Sequence, residues 1–209
     1  MDHVIIAGDT TGGRVWEDLD LYLQRRWTHP SGASLGVLCA MIDHGFRSKE
    51  VTAYVLPRQG QRIYACKGIG TMGAPAIRRP KTATKKDLYL ITVGTYTLKN
   101  TLFARLRQQD AGPGYIHFEE SLPPEYFKQL TAEIHRVKYS KGHEVRFYEK
   151  KKHIRNETLD CAVYAHAALL TLQSMGLNLH AAVDALASGS YSQPAPVSRG
   201  FTVKSKGVS

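Results

Sequence analysis

Between residues 156 and 170 the apolar positions recur at helical spacing: Leu159, Val163, His166, Ala167 and Leu170 define one face, turned toward a core. Glu157, Asp160 and Tyr164 fall at i, i+3 and i+7 on another face. Asn156 suits a helix N-cap, and no Gly or Pro interrupts the Ala- and Leu-rich run before Gly176, so a helix of several turns is predicted. Two carboxylates then project side by side from its first turn. Acids in a first turn ordinarily complement the helix dipole. The sharper reading is a divalent-metal site, which needs hard oxygen ligands on rigid elements and a further acid from elsewhere.

The same reading along the chain predicts a strand at Val4–Ala7 and a loop over residues 8–13. A helix follows from about Arg14 to Trp27, with Val15, Leu19, Leu23 and Trp27 in one stripe. Leu35 to Ile42 is a continuous apolar run, the mark of a strand buried on both faces. It ends at Asp43, where an acid at the carboxyl end of a central strand borders the usual ligand crevice of an α/β sheet. Asp43 could equally open the loop and cap a helix begun at Ser48, with Val51, Tyr54 and Val55 inward. A strand at residues 62–66 would complete a β-α-β unit. Residues 69–86 read as a mobile basic loop. Further expectations are a strand at 87–93, a helix capped by Thr95 or Thr97 with Leu98, Leu102 and Leu106 inward, and a strand at 115–118. Lys99, Arg105 and Arg107 read as solvated charges on that helix. A helix from Pro123–Pro124 to about His135, a strand at 144–149 and a short helix at 177–187 follow. Residues 1–187 form one domain, and 188–209 a flexible tail rich in Ser, Gly, Pro and Lys.

Charge changes the picture more than composition does. The chain of 209 residues, 43% hydrophobic, can bury one core, and no stretch approaches the roughly 20 apolar residues of a membrane span. Without a signal-peptide layout, a soluble cytoplasmic protein is expected. Cys39, Cys66 and Cys161 lie apart in apolar segments and read as buried free thiols. Lys and Arg outnumber Asp and Glu by 28 to 18. The excess clusters at Arg78, Arg79, Lys81, Lys85 and Lys86 and again at Lys150, Lys151, Lys152 and Arg155, which suggests a polyanionic partner. The second cluster abuts Glu157 and Asp160. No phosphate-binding P-loop, no Gly-x-Ser-x-Gly elbow and no His-x-x-x-His spacing occurs, which excludes a recognisable ATPase motor, that hydrolase class and a histidine zinc site.

The block Arg155-Asn156-Glu157-x-Leu159-Asp160-Cys161-x-Val163-Tyr164-Ala165 resembles the C-terminal signature of the large terminase subunit of lambda-type phages, the GpA family. The resemblance extends through the strand ending in Asp43 with Gly45 behind it, Lys67-Gly68, Val93-Gly94-Thr95-x-x-x-Lys99, Gly112 to Phe118 and Gln129 to Glu133, covering most of the chain in order. It implies an RNase H-like endonuclease domain, a mixed α/β sheet flanked by helices, that cuts double-stranded DNA with Mg2+ or Mn2+ held by Asp43, Glu157 and Asp160. It also implies a small terminase subunit and a portal as partners, and no membrane. In the family the domain opens with a hairpin carrying another metal-binding aspartate. Set against that pattern the chain starts late, so its first strands and one acid are expected to be missing, with an exposed edge at Val4–Ile6 and weak or absent catalysis. The rival from another class is a non-catalytic basic DNA-binding or packaging-complex component. A third reading is an unrelated RNase H-like fold with another nucleic-acid task.

Overall fold

A computed structural model describes residues 3–84 and 87–193. In chain order the elements are α1 (Arg14–Leu23), β1 (Arg26–Thr28), β2 (Ser34–Gly36), β3 (Ala40–Asp43), α2 (Ser48–Val55), a 3-10 turn (Leu56–Gln61), β4 (Ile63–Ile69), β5 (Ile77–Arg78) and β6 (Ile91–Gly94). They continue with α3 (Thr95–Leu106), α4 (Pro124–Leu130), β7 (Glu133–Ser140), β8 (His143–Lys150), α5 (Glu157–Ser174) and α6 (Leu179–Ala187). The main sheet has the order β3-β4-β6-β5, with β3, β4 and β6 parallel and β5 antiparallel to β6. Two hairpins, β1-β2 and β7-β8, stand apart from it.

Strand alternation divides the core between the two faces of this sheet. Tyr64 and Cys66 of β4 pack with Leu98, Leu102, Tyr126, Leu130, Leu159, Val163 and Ala167 of α3, α4 and α5. Ile63 and Ala65 point the other way, onto Val51, Tyr54 and Val55 of α2 and Trp16, Leu19 and Leu23 of α1. In β3, Ala40 and Ile42 join the α1/α2 side and Met41 the α5 side. Asp43, next in the alternation, therefore falls on the side of α5. The result is the expected mixed sheet with helices on both faces, and β3-α2-β4 is the expected β-α-β unit.

Several local expectations fail for identifiable reasons. Val4–Ala7 forms no strand, and Ile5 is 75% exposed. Helix α1 stops at Leu23, because Arg26–Thr28 pair antiparallel with Ser34–Gly36. A turn closed by the His29 carbonyl and N–H, with Gly32 at φ +83°, makes that pairing possible. The apolar run 35–42 is thereby split, and only Ala40–Asp43 enters the main sheet. It does so as an edge strand, half-buried rather than central. The loop after β4 is tied down by β5, by the Thr97 hydroxyl donating to the Ala74 carbonyl at 2.6 Å, and by the approach of Pro75 to Gly94. A Cβ on Gly94 would lie 2.3 Å from the Pro75 oxygen. Gly94 is also the N-cap of α3, and neither Thr95 nor Thr97 caps it by side chain. Residues 115–118 are irregular. Helix α4 ends at Leu130 because residues 133–140 alternate as a strand and close a two-residue turn with β8 through Lys141 (φ 51°) and Gly142 (φ 78°). Cys66 is buried and Cys39 half-buried, but Cys161 is exposed. Helix α6 is capped by Asn178, whose side chain accepts from the Ala181 N–H. The tail expectation beyond residue 193, and Lys85 and Lys86, lie outside the described residues. Among the described residues no helix is long and apolar enough to cross a membrane.

Leu159 is fully buried at the contact of α5 with the sheet. Leu159→Ala should lower unfolding free energy by roughly 2–5 kcal/mol through lost burial and a residual cavity. Urea denaturation showing a loss under about 1 kcal/mol would contradict this packing of α5.

Candidate active site

Asp43 ends β3 opposite Cys66 of β4. Its Oδ1 accepts the Gly45 N–H at 3.0 Å, an Asx-type turn that folds the carboxylate back over the loop. A Cβ on Gly45 would sit 3.3 Å from both carboxylate oxygens, so glycine there leaves the acid room. Asp43 does not cap α2, whose N-cap is Arg47 with no side-chain hydrogen bond. The same Oδ1 lies 3.4 Å from the Tyr164 hydroxyl of α5, across 121 positions of sequence. Burial pushes the Tyr164 phenol well above its usual value, and the Asp43 and Asp160 carboxylates push it the same way. The phenol therefore stays protonated and donates. Gly68 permits this approach: a Cβ there would lie 3.1 Å from the Tyr164 oxygen and 2.8 Å from the Thr95 methyl.

One turn before Tyr164, Asp160 enters a charged network with α3 and β7. Lys99 is only 8% exposed, and its Nζ lies 2.7 Å from both oxygens of Glu133 and 3.5 Å from Asp160 Oδ1. Asn156 Nδ2 donates to Glu133 Oε1 at 2.9 Å and to Asp160 Oδ2 at 3.1 Å. Asn156 occupies the predicted N-cap position of α5, but its side chain makes no cap; it is diverted to these two acids. Burial raises the Asp160 carboxyl above the usual carboxylate range; Lys99 opposes the rise, while Glu133 and Asp43 add to it.

Lys99 is no solvated decoration, and neither it nor Glu133 was singled out for the site by sequence reasoning. The available signal was position: Lys99 lies three residues before Leu102 and next to Leu98, beside the inward stripe of α3. Glu157 turns outward and pairs with Arg155 at 3.1 Å. Partial burial acts upward on its carboxyl, but its own backbone N–H, Arg155 and Lys150 outweigh that and hold it below the usual value. Asp43 and Asp160 thus lie on one face of the sheet, close enough that each raises the Tyr164 phenol and Asp43 raises Asp160, and Glu157 stands one turn away paired with Arg155. Among the described residues no three His, Cys, Asp or Glu side chains form a metal-holding group. His166, expected in the core, is half-buried, and burial holds its imidazole below the usual value.

Among the described residues, Arg79 of the first basic cluster and Arg155 of the second lie at opposite ends of α5. Arg155 precedes its first turn, with Lys150–Lys152 just upstream; Lys151 Nζ donates to the Thr131 carbonyl at 3.2 Å. Arg79 donates to the Ser174 carbonyl and hydroxyl at 3.3 and 3.4 Å, at the far end of the 18-residue helix, about 26 Å away. There it satisfies the helix C-terminus. Arg78 pairs in β5, and Lys81 is exposed nearby in sequence.

Fold and geometry define an α/β protein in which a strand-end acid and a helix-borne acid share one face of a mixed sheet. The chain belongs to the family of the terminase large subunit gpA, endonuclease domain, whose family model matches residues 1–182. The terminase large subunit of Enterobacteria phage P21 is 32% identical over 191 residues, covering 86% of this chain and 29% of that protein. The terminase large subunit of Escherichia phage lambda is 29% identical over 197 residues, covering 89% of this chain and 30% of that protein. The chain thus spans under a third of the length of these relatives. No solved structure matches it.

Lys99→Met would leave Glu133 buried without its cation, and should cost roughly 3–5 kcal/mol in unfolding free energy. Adding Glu133→Leu should return a substantial part of it. A double-mutant cycle by urea unfolding tests this, and simple additivity would show that the two charges do not depend on each other.

Proposed function

We propose that this chain is the DNA-cutting part of a packaging terminase, an RNase H-like domain that hydrolyses phosphodiester bonds with Mg2+ or Mn2+. The observation that carries the reading is that Asp43 and Asp160 share the α5 face of the sheet closely enough to act on each other's charge, with Tyr164 hydrogen-bonded to Asp43. The donor chemistry fits a hard divalent cation: both groups are carboxylates on regular elements, and no Lys or Arg pairs with Asp43 among the described residues. A cation there would also offset the burial, and the lesser repulsion from Glu133 and Asp43, that raise the Asp160 carboxyl. Asp43 and Asp160 would hold it, with Glu157 available one helical turn away. When bound, such an ion activates water and stabilises the leaving oxygen. Lys99 and Asn156 orient Asp160, Tyr164 orients Asp43, and Lys150, Lys151, Lys152 and Arg155 draw phosphates to the same end of α5. Arg79 serves α5 itself. An RNase H-like sheet would add its further strands along the outer edge of β3, which pairs with no strand among the described residues. In packaging, the domain would work in the bacterial cytoplasm beside a small terminase subunit and a portal.

One observation favours a second reading, a DNA-binding packaging component without catalysis: the described residues contain no three-acid group. Nicking of supercoiled plasmid decides between them. Under the nuclease reading, Mn2+-dependent nicking is present and falls at least about 100-fold in Asp43→Asn and in Asp160→Asn, as loss of metal-held charge stabilisation predicts. Nicking that survives both changes would remove these acids from the chemistry; its complete absence in the unaltered chain favours the second reading. Neutralising Lys150, Lys151 and Lys152 to Gln should flatten the plot of log affinity against log salt by about 2–3 units, if all three meet duplex phosphates. An unchanged slope would make this run a solvated face.

A further inference from the structure

The β7-β8 hairpin does nothing for the core that its size would explain. Both strands are eight residues long, in continuous register from Glu133↔Lys150 to Ser140↔His143, so the ribbon extends about 26 Å. Among the described residues only its root is anchored: the Tyr148 hydroxyl donates to Asn100 at 2.7 Å, its ring stacks on Phe103, and Tyr96 and His135 share a hydrogen bond at 3.1 Å. Seven of the eight β7 residues are exposed, and at the tip Tyr139 is 76% exposed. An isolated two-stranded ribbon is at best marginally stable in water, and a long one with open edges invites aggregation unless charge protects it.

Its charge is one-sided. Between residues 133 and 152 there are seven Lys or Arg and three Glu. All three acids are occupied: Glu133 by Lys99, Glu149 by Arg136 at 3.1 Å, and Glu144 by Arg146. What remains toward the tip is Lys138, lying over the Phe147 ring at 5.1 Å, and Lys141 in the turn, with no acid of the ribbon left for either. This surplus disfavours a second copy of the same ribbon and favours a polyanion. The root sets the direction, because Glu133 touches Lys99 and Asn156 beside Asp160, and β8 runs on through Lys150–Lys152 to the start of α5.

We infer that the β7-β8 ribbon enters the major groove of duplex DNA and holds the duplex against the Asp43–Asp160 site. A groove about 12 Å wide admits a two-stranded ribbon, and strands about 4.8 Å apart with side chains on both faces fit it. Lys138 and Lys141 contact phosphates at the groove edges, and Tyr139 enters between them. The ribbon's arginines pair with Glu149 and Glu144 on its exposed surface, and phosphate contacts from the tip lysines position DNA without reading its sequence. The inference rests on the DNA-handling function proposed above, but not on cleavage.

The test measures binding of the full 209-residue chain to a 30-base-pair duplex in EDTA, so that no cleavage enters. Two duplexes are compared, one plain and one carrying glucosylated hydroxymethylcytosines that fill the major groove. The unaltered chain should bind the glucosylated duplex at least about tenfold more weakly than the plain one. Lys138→Gln with Lys141→Gln should reduce the salt slope by about 2 and narrow the difference between the duplexes. Tyr139→Ala, a change at an exposed tip, should weaken plain-duplex binding with the thermal midpoint unchanged. Equal binding of both duplexes, an unchanged slope in the lysine variant, or no DNA binding at all would each overturn the inference. Binding through the ribbon without any nicking would sink the nuclease reading alone, and nicking by a chain indifferent to the tip changes would sink the ribbon alone.

Discussion

The ammonium of Lys99, enclosed by Glu133 and Asp160, is the contact on which the arrangement of this face depends. Removing an ammonium and a carboxylate from water is costly unless the partners meet with good geometry and their remaining bonding capacity is filled. Here α3 supplies the cation, β7 one acid, and α5 the other acid together with the Asn156 amide. Three elements from distant parts of the chain are thereby held in one register. The root of the β7-β8 ribbon and the first turn of α5 cannot shift independently without exposing a buried charge.

The second acid reaches the same place by a different route. Asp43 is carried by an edge strand of only four residues, and strand alternation turns it to the α5 face. Glycines at two points make the meeting possible: Gly45 leaves space for the carboxylate, and Gly68 lets the Tyr164 hydroxyl come down on the sheet. Tyr164 stays neutral because burial and two carboxylates disfavour its ionisation, so it remains a donor to Asp43 throughout the ordinary pH range.

The cations divide by task along α5. Arg79 completes the helix C-terminus, where a positive group is favourable. At the other end the lysine run, Arg155 and the root of the ribbon gather near the helix N-terminus, itself partially positive. The acids at that end are tolerable because Lys99 and Arg155 offset part of their charge.

Local pattern was enough to establish the α5 helix, its inward face of Leu159, Val163 and Ala167, the α2 face, the β3-α2-β4 unit, and Asp43 and Asp160 as acids worth following. These follow from periodicity and end signals that act over a few residues. The family was also legible, in the Asn-Glu-x-Leu-Asp-Cys block. What local pattern missed was decided by partners far away in sequence. The apolar run 35–42 was divided because Arg26–Thr28 captured its first half, and the predicted end of α4 became β7 because a complementary strand followed beyond Lys141-Gly142. Lys99 and Glu133 carry charges that pattern assigns to solvent, and Asn156 has the side chain of a cap. Only the packing of α3, β7 and α5 against one another made pairing among these three cheaper than exposure to water, and so turned ordinary surface residues into the framework of the candidate site.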